Sequence, residues 1–159
     1  VTNFLKGDIV RTGPTLIAAL FLTIVCSSSL YALCVKVPKA NLRTGPGTNY
    51  EIGWTVYKYM PLEKVGVSLS GNWYAVKDLD NTVLWIHRNL VTTQYRCIVV
   101  NTEKVNVRKG PDTGYQKRFD TPMEKYYSAR ILNRKGNWIK IIDGDNDTGW
   151  IHKDYLWIR

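Results

Sequence analysis

A chain that repeats itself at a fixed interval has few ways to fold, because every copy must form the same unit. Here the interval is 65 residues, the separation of Asn41 from Asn106. Displaced by that amount, Asn41-Leu42-Arg43-Thr44-Gly45-Pro46-Gly47-Thr48-Asn49-Tyr50 falls on Asn106-Val107-Arg108-Lys109-Gly110-Pro111-Asp112-Thr113-Gly114-Tyr115. Gly71-Asn72-Trp73 falls on Gly136-Asn137-Trp138, and Trp85-Ile86-His87 on Trp150-Ile151-His152. Between residues 40 and 91 there are 15 identities in 52 positions, gathered at Gly, Pro, Trp and Asn with no gap between the clusters. Chance matching scatters identities, so each copy is one structural unit of about 60 residues.

Within a copy the pattern is one of short strands and turns. Gly-Pro in each first cluster marks a turn, with the glycine free to take unusual backbone angles and the proline fixing its own φ. Ser70-Gly71-Asn72 and Lys135-Gly136-Asn137 read as hairpin turns. The alternating strands Trp73-Tyr74-Ala75-Val76-Lys77 and Trp138-Ile139-Lys140-Ile141-Ile142 follow them. Residues 78–81 and 143–147 make the next turns, before Trp85-Ile86 and Trp150-Ile151. No amphipathic helix is legible after residue 33. Some five strands in about 60 residues predict a small barrel, whose closure removes most exposed sheet edges.

The first part of the chain differs in kind. Residues 16–26 (LIAALFLTIVC) are an 11-residue apolar run, preceded by Lys6 and Arg11 and followed by Ser27, Ser28 and Ser29. A basic head, a short apolar stretch and a small-residue tail describe a secretory signal peptide. A membrane span needs about 20 apolar residues. Cleavage is expected after Ala32, with a cut behind the serines and retention as an anchor as alternatives. Neither Cys26 nor Cys34 follows a small residue, so no lipoprotein anchor is expected.

The whole chain has 22 Lys+Arg against 13 Asp+Glu, a net charge of +9, and without residues 1–32 the balance is +8. Such basicity favours anionic surfaces: nucleic acid, acidic lipid or an envelope polymer. Cys34 and Cys97 remain after cleavage. In an exported protein an even pair reads first as a disulfide, with two buried free thiols as the alternative. Closing so long a loop stabilises a fold by up to ~4 kcal/mol on the chain-entropy account.

The order N-L-R-T-G-P-G-T-N-Y, G-N-W-Y-A-V, W-I-H-R-N-L, repeated as N-V-R-K-G-P, G-N-W-I-K-I, G-W-I-H-K-D-Y-L, resembles the bacterial SH3-like domain. The first copy departs from the family's pattern by carrying Leu84 where the second has Gly149 before Trp-Ile-His. The resemblance implies an all-β fold: two tandem small SH3-like β-barrels, preceded by an N-terminal signal peptide helix. The expected division is a signal peptide over 1–32, a first SH3-like domain over 33–93 and a second over 94–159. It also implies an envelope-targeting or ligand-binding module without catalysis of its own.

The residues agree with that expectation. A nucleophilic pair would have to join Cys97 to His87 or His152. Both histidines occupy the same repeat position after Trp-Ile, so one structural role covers both, and Cys97 lacks a helix-start context that would lower its pKa. No catalytic residue is expected. Two histidines without cysteine or carboxylate partners at ligand spacing give no metal site. The run Asp143-Gly144-Asp145-Asn146-Asp147 has the alternating carboxylates of a calcium loop but lacks its glycine and distant glutamate, and is expected to be a solvated turn. No cofactor is called for.

Binding is the expected role. Aromatic faces with basic neighbours suit peptide or sugar backbones. Tyr50, Trp54 and Tyr57 in the first copy, and Tyr115 and Phe119 in the second, are expected to line a groove, joined by Trp85 and Trp150. Affinity is expected to rest chiefly on Tyr50 and Trp54. Arg43 and Arg108 are candidate ligand contacts, or else hold their turns by a hydrogen bond or salt bridge. Trp73 and Trp138 are assigned to the core because each opens an alternating strand. The expected partner is peptidoglycan or a peptide of another envelope protein. One alternative is a structural or sensor domain packed on a partner protein. Another is a single-strand nucleic-acid binder, which charge and aromatics suit but an export signal opposes. No nucleic-acid partner is therefore expected, and membrane contact is confined to the signal segment.

Overall fold

The computed structural model describes residues 32–158, so the expected signal segment lies outside the described residues except for Ala32. The first copy forms β1 (Ala32–Val35), β2 (Lys39–Arg43), β3 (Ile52–Tyr57), β4 (Pro61–Val67), β5 (Trp73–Lys77), β6 (Val83–His87) and β7 (Val91–Thr92). The second forms β8 (Cys97–Val100), β9 (Lys104–Val105), β10 (Met123–Glu124), β11 (Ser128–Lys135), β12 (Trp138–Ile142), β13 (Thr148–His152) and β14 (Leu156–Ile158). A single 3-10 turn precedes β7 and another precedes β14. No helix among the described residues is long and apolar enough to cross a membrane.

All the sheet pairing is antiparallel. The first copy runs β3-β2-β6-β5-β4-β1-β7, and the second β13-β12-β11-β8-β14 with a separate β9-β10 pair. An isolated bridge from Arg108 to Trp150 stands where Arg43 pairs with Trp85 in the first copy. The two-residue hairpin from Lys135 to Trp138 has its glycine at φ +55°, a conformation open to glycine without penalty. Gly71 does the same at φ +73°. The Gly-Pro glycines differ from expectation, since Gly45 and Gly110 do not lie at positive φ. Their need is for space: a Cβ on either would run into the ring of Tyr50 or Tyr115.

The structural match between copies is less uniform than a single 65-residue interval. Val35 and Val100 are 65 apart, and each N–H donates to the residue just before its partner strand, Met60 before β4 in one copy and Tyr127 before β11 in the other. β4 and β11 therefore correspond at an interval of 67. The second copy gains two residues between Tyr115 and Met123. It loses two again in its hairpin, since Val67 pairs with Tyr74 while the matching Arg134 pairs with Ile139, two residues closer along the chain. The two changes cancel, so the sequence clusters coincide without a gap.

Each copy has its own core. Leu42, Val56, Leu62, Val76 and Ile86 fill the first, and Ile98, Val107, Ala129, Ile139, Ile141 and Ile151 the second. Along β12 and β13 burial alternates strictly, as a one-sided sheet requires. The substitution of Leu84 for Gly149 is explained by an exchange of volume. Leu84 is buried over Gly53, where a Cβ would lie 2.8 Å from it. In the second copy Arg118 takes the place of Gly53, and Gly149 leaves room for Val107.

The copies are packed against each other. Val99 and Trp157 of the second copy lie in or against the core of the first. Cys34 and Cys97 form a disulfide with Cα atoms 5.9 Å apart, set among Tyr59 and Tyr95. Ser128 Oγ donates to the carbonyl of Lys58 at 2.9 Å.

Candidate functional site

Alternation along three strands assembles one outward face in each copy. On β2, Ala40 and Leu42 point into the core, which sends Lys39, Asn41 and Arg43 outward. On β5, Tyr74 and Val76 pack on the core, so Trp73 takes the other side. On β6, Leu84 and Ile86 are buried and Trp85 and His87 face out. The same parity puts Trp138, Trp150 and His152 outward beside Ile139 and Ile151. Trp73 and Trp138 are thus not core residues, contrary to expectation: the inward positions of their strands are taken by Tyr74 and Val76 in one copy and by Ile139 and Ile141 in the other.

On this face each copy has an open cleft, about 330 Å³ in the first and 370 Å³ in the second. Six lining residues are identical between the copies: Lys39 with Lys104, Asn41 with Asn106, Arg43 with Arg108, Thr48 with Thr113, Trp73 with Trp138 and His87 with His152. Each tryptophan stands edge-on to its histidine, ring centroids 5.3 Å apart, across a strand pair that places the two opposite each other. His87 Nδ1 accepts the N–H of Asn89 at 3.3 Å, whereas His152 Nδ1 faces the exposed Asp154 carboxylate at 3.4 Å and its ring also meets Tyr155. Arg43 Nη1 donates to the carbonyl of Tyr50 at 2.6 Å, and Arg108 Nη1 to that of Tyr115 at 2.8 Å. Asn41 Oδ1 accepts from Thr55 at 3.0 Å; Asn106 Oδ1 is buried and no partner reaches it.

The profile of the bacterial SH3 domain matches residues 36–92 and again residues 101–157. The chain belongs to the bacterial SH3 family. No curated protein sequence matches it significantly. Among solved structures it is similar to NlpC2 from Trichomonas vaginalis (TM-score 0.35, 12% identity), covering 81% of this chain and 48% of that one. It is similar also to an NlpC/P60 family protein from Bacillus cereus (TM-score 0.36, 10% identity), covering 80% and 56%. A third is the Endolysin LysPBC5 CBD (TM-score 0.32, 17% identity), covering 80% and 91%. The chain spans about half the length of the first two.

The bacterial SH3 copies distribute the sequence-derived candidates over several places. Arg43 and Arg108 line the clefts and also close their turns, so both roles set out for them meet at one guanidinium. Trp85 and Trp150 are the strand neighbours of those arginines on the same outward face. Tyr50 and Tyr115 lie over the Gly-Pro turns and line neither cleft. Phe119 packs on the second core. Trp54 stands edge-on to Tyr126 of the other copy at 5.3 Å, while Tyr57, three residues on, faces a separate hollow beside Pro38 and Tyr126. An odd spacing on one strand sends two side chains to opposite faces, so Trp54 and Tyr57 do not share a groove.

Cys97 is bonded to Cys34, so it does not pair with either histidine. Among the described residues no three His, Cys, Asp or Glu side chains gather as a metal site. The acidic run at 143–147 is a turn organised by its own first residue. Asp143 is buried, and its Oδ1 accepts the N–H groups of Asp145 and Asp147. At the contact between copies, Asp80 accepts from Tyr126 and pairs with Lys125 at 2.9 Å. The Tyr126 hydroxyl, and then the Lys125 ammonium, hold the Asp80 carboxyl below the usual carboxylate range.

Sequence reasoning missed Lys39, Asn41, Thr48, Trp73 and His87 with their counterparts. Two signals together identify them: identity between the copies, and outward parity on strands whose inward residues are aliphatic.

Proposed function

We propose that this chain is a non-catalytic binding protein of the cell envelope, which holds peptidoglycan or a peptide of another envelope protein in its two outward clefts. The observation that carries the reading is the cleft lined in both copies by the same Lys, Asn, Arg, Thr, Trp and His. An indole wall with amide, hydroxyl and basic donors around it suits a peptide, whose apolar parts lie on the ring while its polar groups meet the donors. Membership of the bacterial SH3 family, the signal-like run at 16–26 and the disulfide support an exported, envelope-bound setting. Two linked clefts raise retention on a polymer that offers both a ligand.

The experiment is retention of the purified chain on isolated cell wall, at low and high salt, against a Trp73→Ala/Trp138→Ala double variant. Truncating an aromatic at a binding hot spot costs about 2 kcal/mol or more, roughly thirtyfold in affinity. The expected result is a large loss at both salt concentrations, with the circular dichroism spectrum unchanged. Retention equal to the parent, abolished only by salt, makes the chain a basic adhesive and removes the clefts from its function.

A further inference from the structure

Charge inside the clefts distinguishes one chemical group of a peptide from the rest. Lys39 and Arg43 face the first cleft from β2, and no carboxylate lines it. Lys104 and Arg108 face the second, whose one carboxylate, Asp154, already lies against His152. Some lysines of the chain have partners: Lys77 pairs with Glu63, Lys125 with Asp80, and Lys64 sits over the ring of Tyr74. Lys39 and Lys104 have no such partner among the described residues, in either copy. Each arginine commits Nη1 to a tyrosine carbonyl, which leaves the other nitrogens of its fork as further donors. Each cleft thus carries two cationic side chains four residues apart along one extended stretch, with no free carboxylate on its lining to balance them.

Resting on the reading of the clefts as peptide sites, we propose that each cleft receives a carboxylate-bearing peptide group. The carboxylate lies on the Lys39–Arg43 edge in the first copy and on the Lys104–Arg108 edge in the second. The residue that bears it rests against Trp73 or Trp138. Guanidinium and ammonium donors bind a carboxylate through charge-assisted hydrogen bonds, stronger than neutral ones. One chain then binds two equivalents. The carboxylate belongs either to a peptide C-terminus or to an acidic side chain.

Calorimetric titration of the purified chain with three small probes tests this. One is N-acetylated dialanine with a free carboxylate, the second is the same dipeptide as its C-terminal amide, and the third is an N-acetylated glutamate amide with only its side chain ionised. The expected result is two equivalents of an acid probe bound and none of the amide, with the acid that binds naming the source of the carboxylate. Lys39→Gln/Lys104→Gln should weaken binding about tenfold, the loss of a hydrogen bond to a charged group. Lys135→Gln, which removes a charge from a hairpin outside the clefts, should leave it unchanged. Equal binding of acid and amide overturns the proposal, as does equal loss with Lys135→Gln. So does failure of all three probes with a chain that cell wall still retains, and in that case the envelope reading stands. A chain that neither cell wall nor any probe retains takes both down.

Discussion

Asp78 and Asp143 occupy the same repeat position and organise their turns in the same way. Each carboxylate is buried, and each Oδ1 accepts two backbone N–H groups of the turn that follows, at 2.8 to 3.0 Å. This is why the turn residues Asn81 and Asn146 can sit at φ +65° and +69°. Asp143 alone has a third partner, the Tyr127 hydroxyl at 2.8 Å, because the first copy has Met60 in the matching place. Hydrogen bonds to a charged group contribute about 1.5–3 kcal/mol. Asp143→Ala should therefore destabilise the fold by roughly 3 kcal/mol or more, and by more than Asp78→Ala, as denaturant unfolding would measure. Burial, and then the bond to Asp143, push the Tyr127 phenol well above its ordinary range. A folded-state pKa raised in this way contributes stability that is complete below the unfolded tyrosine's pKa and is lost as pH rises through the folded value. Alkaline titration by absorbance should show one of the 10 tyrosines ionising only with unfolding, and Tyr127→Phe should remove that step. An ordinary midpoint for every tyrosine would contradict it.

At the scale of the element, the hairpins before β5 and β12 differ by two residues, yet both strands keep the same outward tryptophan. Loop closure depends weakly on length, by about 0.6 kcal/mol per doubling. Deleting Leu69 and Ser70, which gives the first copy the shorter turn of the second, should leave cell-wall retention intact and shift the melting temperature by only a few degrees. Loss of folding would show that the longer turn is needed by its own sheet. The strands β5 and β12 were legible to the residue because an alternating run behind a glycine turn has only one extended reading. The barrel class was legible for the same reason, repeated twice. What was not legible was which side of the strand each tryptophan took: a large apolar ring reads as core, but β5 has Tyr74 and Val76 to fill that side. Nor did the equal spacing of the clusters betray that β4 and β11 match at another interval, since two opposite changes of length cancel. Tyr50, Trp54 and Tyr57 lie in separate places because of strand parity and of a contact with the other copy, which no reading confined to one copy contains.

For the molecule as a whole, the disulfide and the packing of Val99 and Trp157 make the two copies one body. Mass analysis without reductant should give a chain two hydrogens lighter than the reduced form, and freely alkylated thiols in the native state would contradict the bond. Cys34→Ala/Cys97→Ala should lower stability by up to ~4 kcal/mol, since the bond closes a span of 63 residues. Truncation should act unequally. The first core needs Val99 and Trp157 from the second copy, whereas the second core is built from residues of its own. Residues 94–159 made alone should unfold cooperatively on heating, while residues 33–93 alone should not; a cooperative transition in the shorter piece would refute the dependence.

That dependence also sets an order in time. A chain is made from its N-terminus, and domains commonly fold in the order they appear. Here the copy that is made first waits for residue 157 to close its interior, while the core of the second copy draws on no residue of the first. Completion therefore runs backwards along the chain: the second unit can settle as soon as it emerges, and it then serves as the template on which the first is finished. Until then the first core lacks part of its cover, which favours a protein held unfolded until residue 157 has emerged over one that folds as it is made.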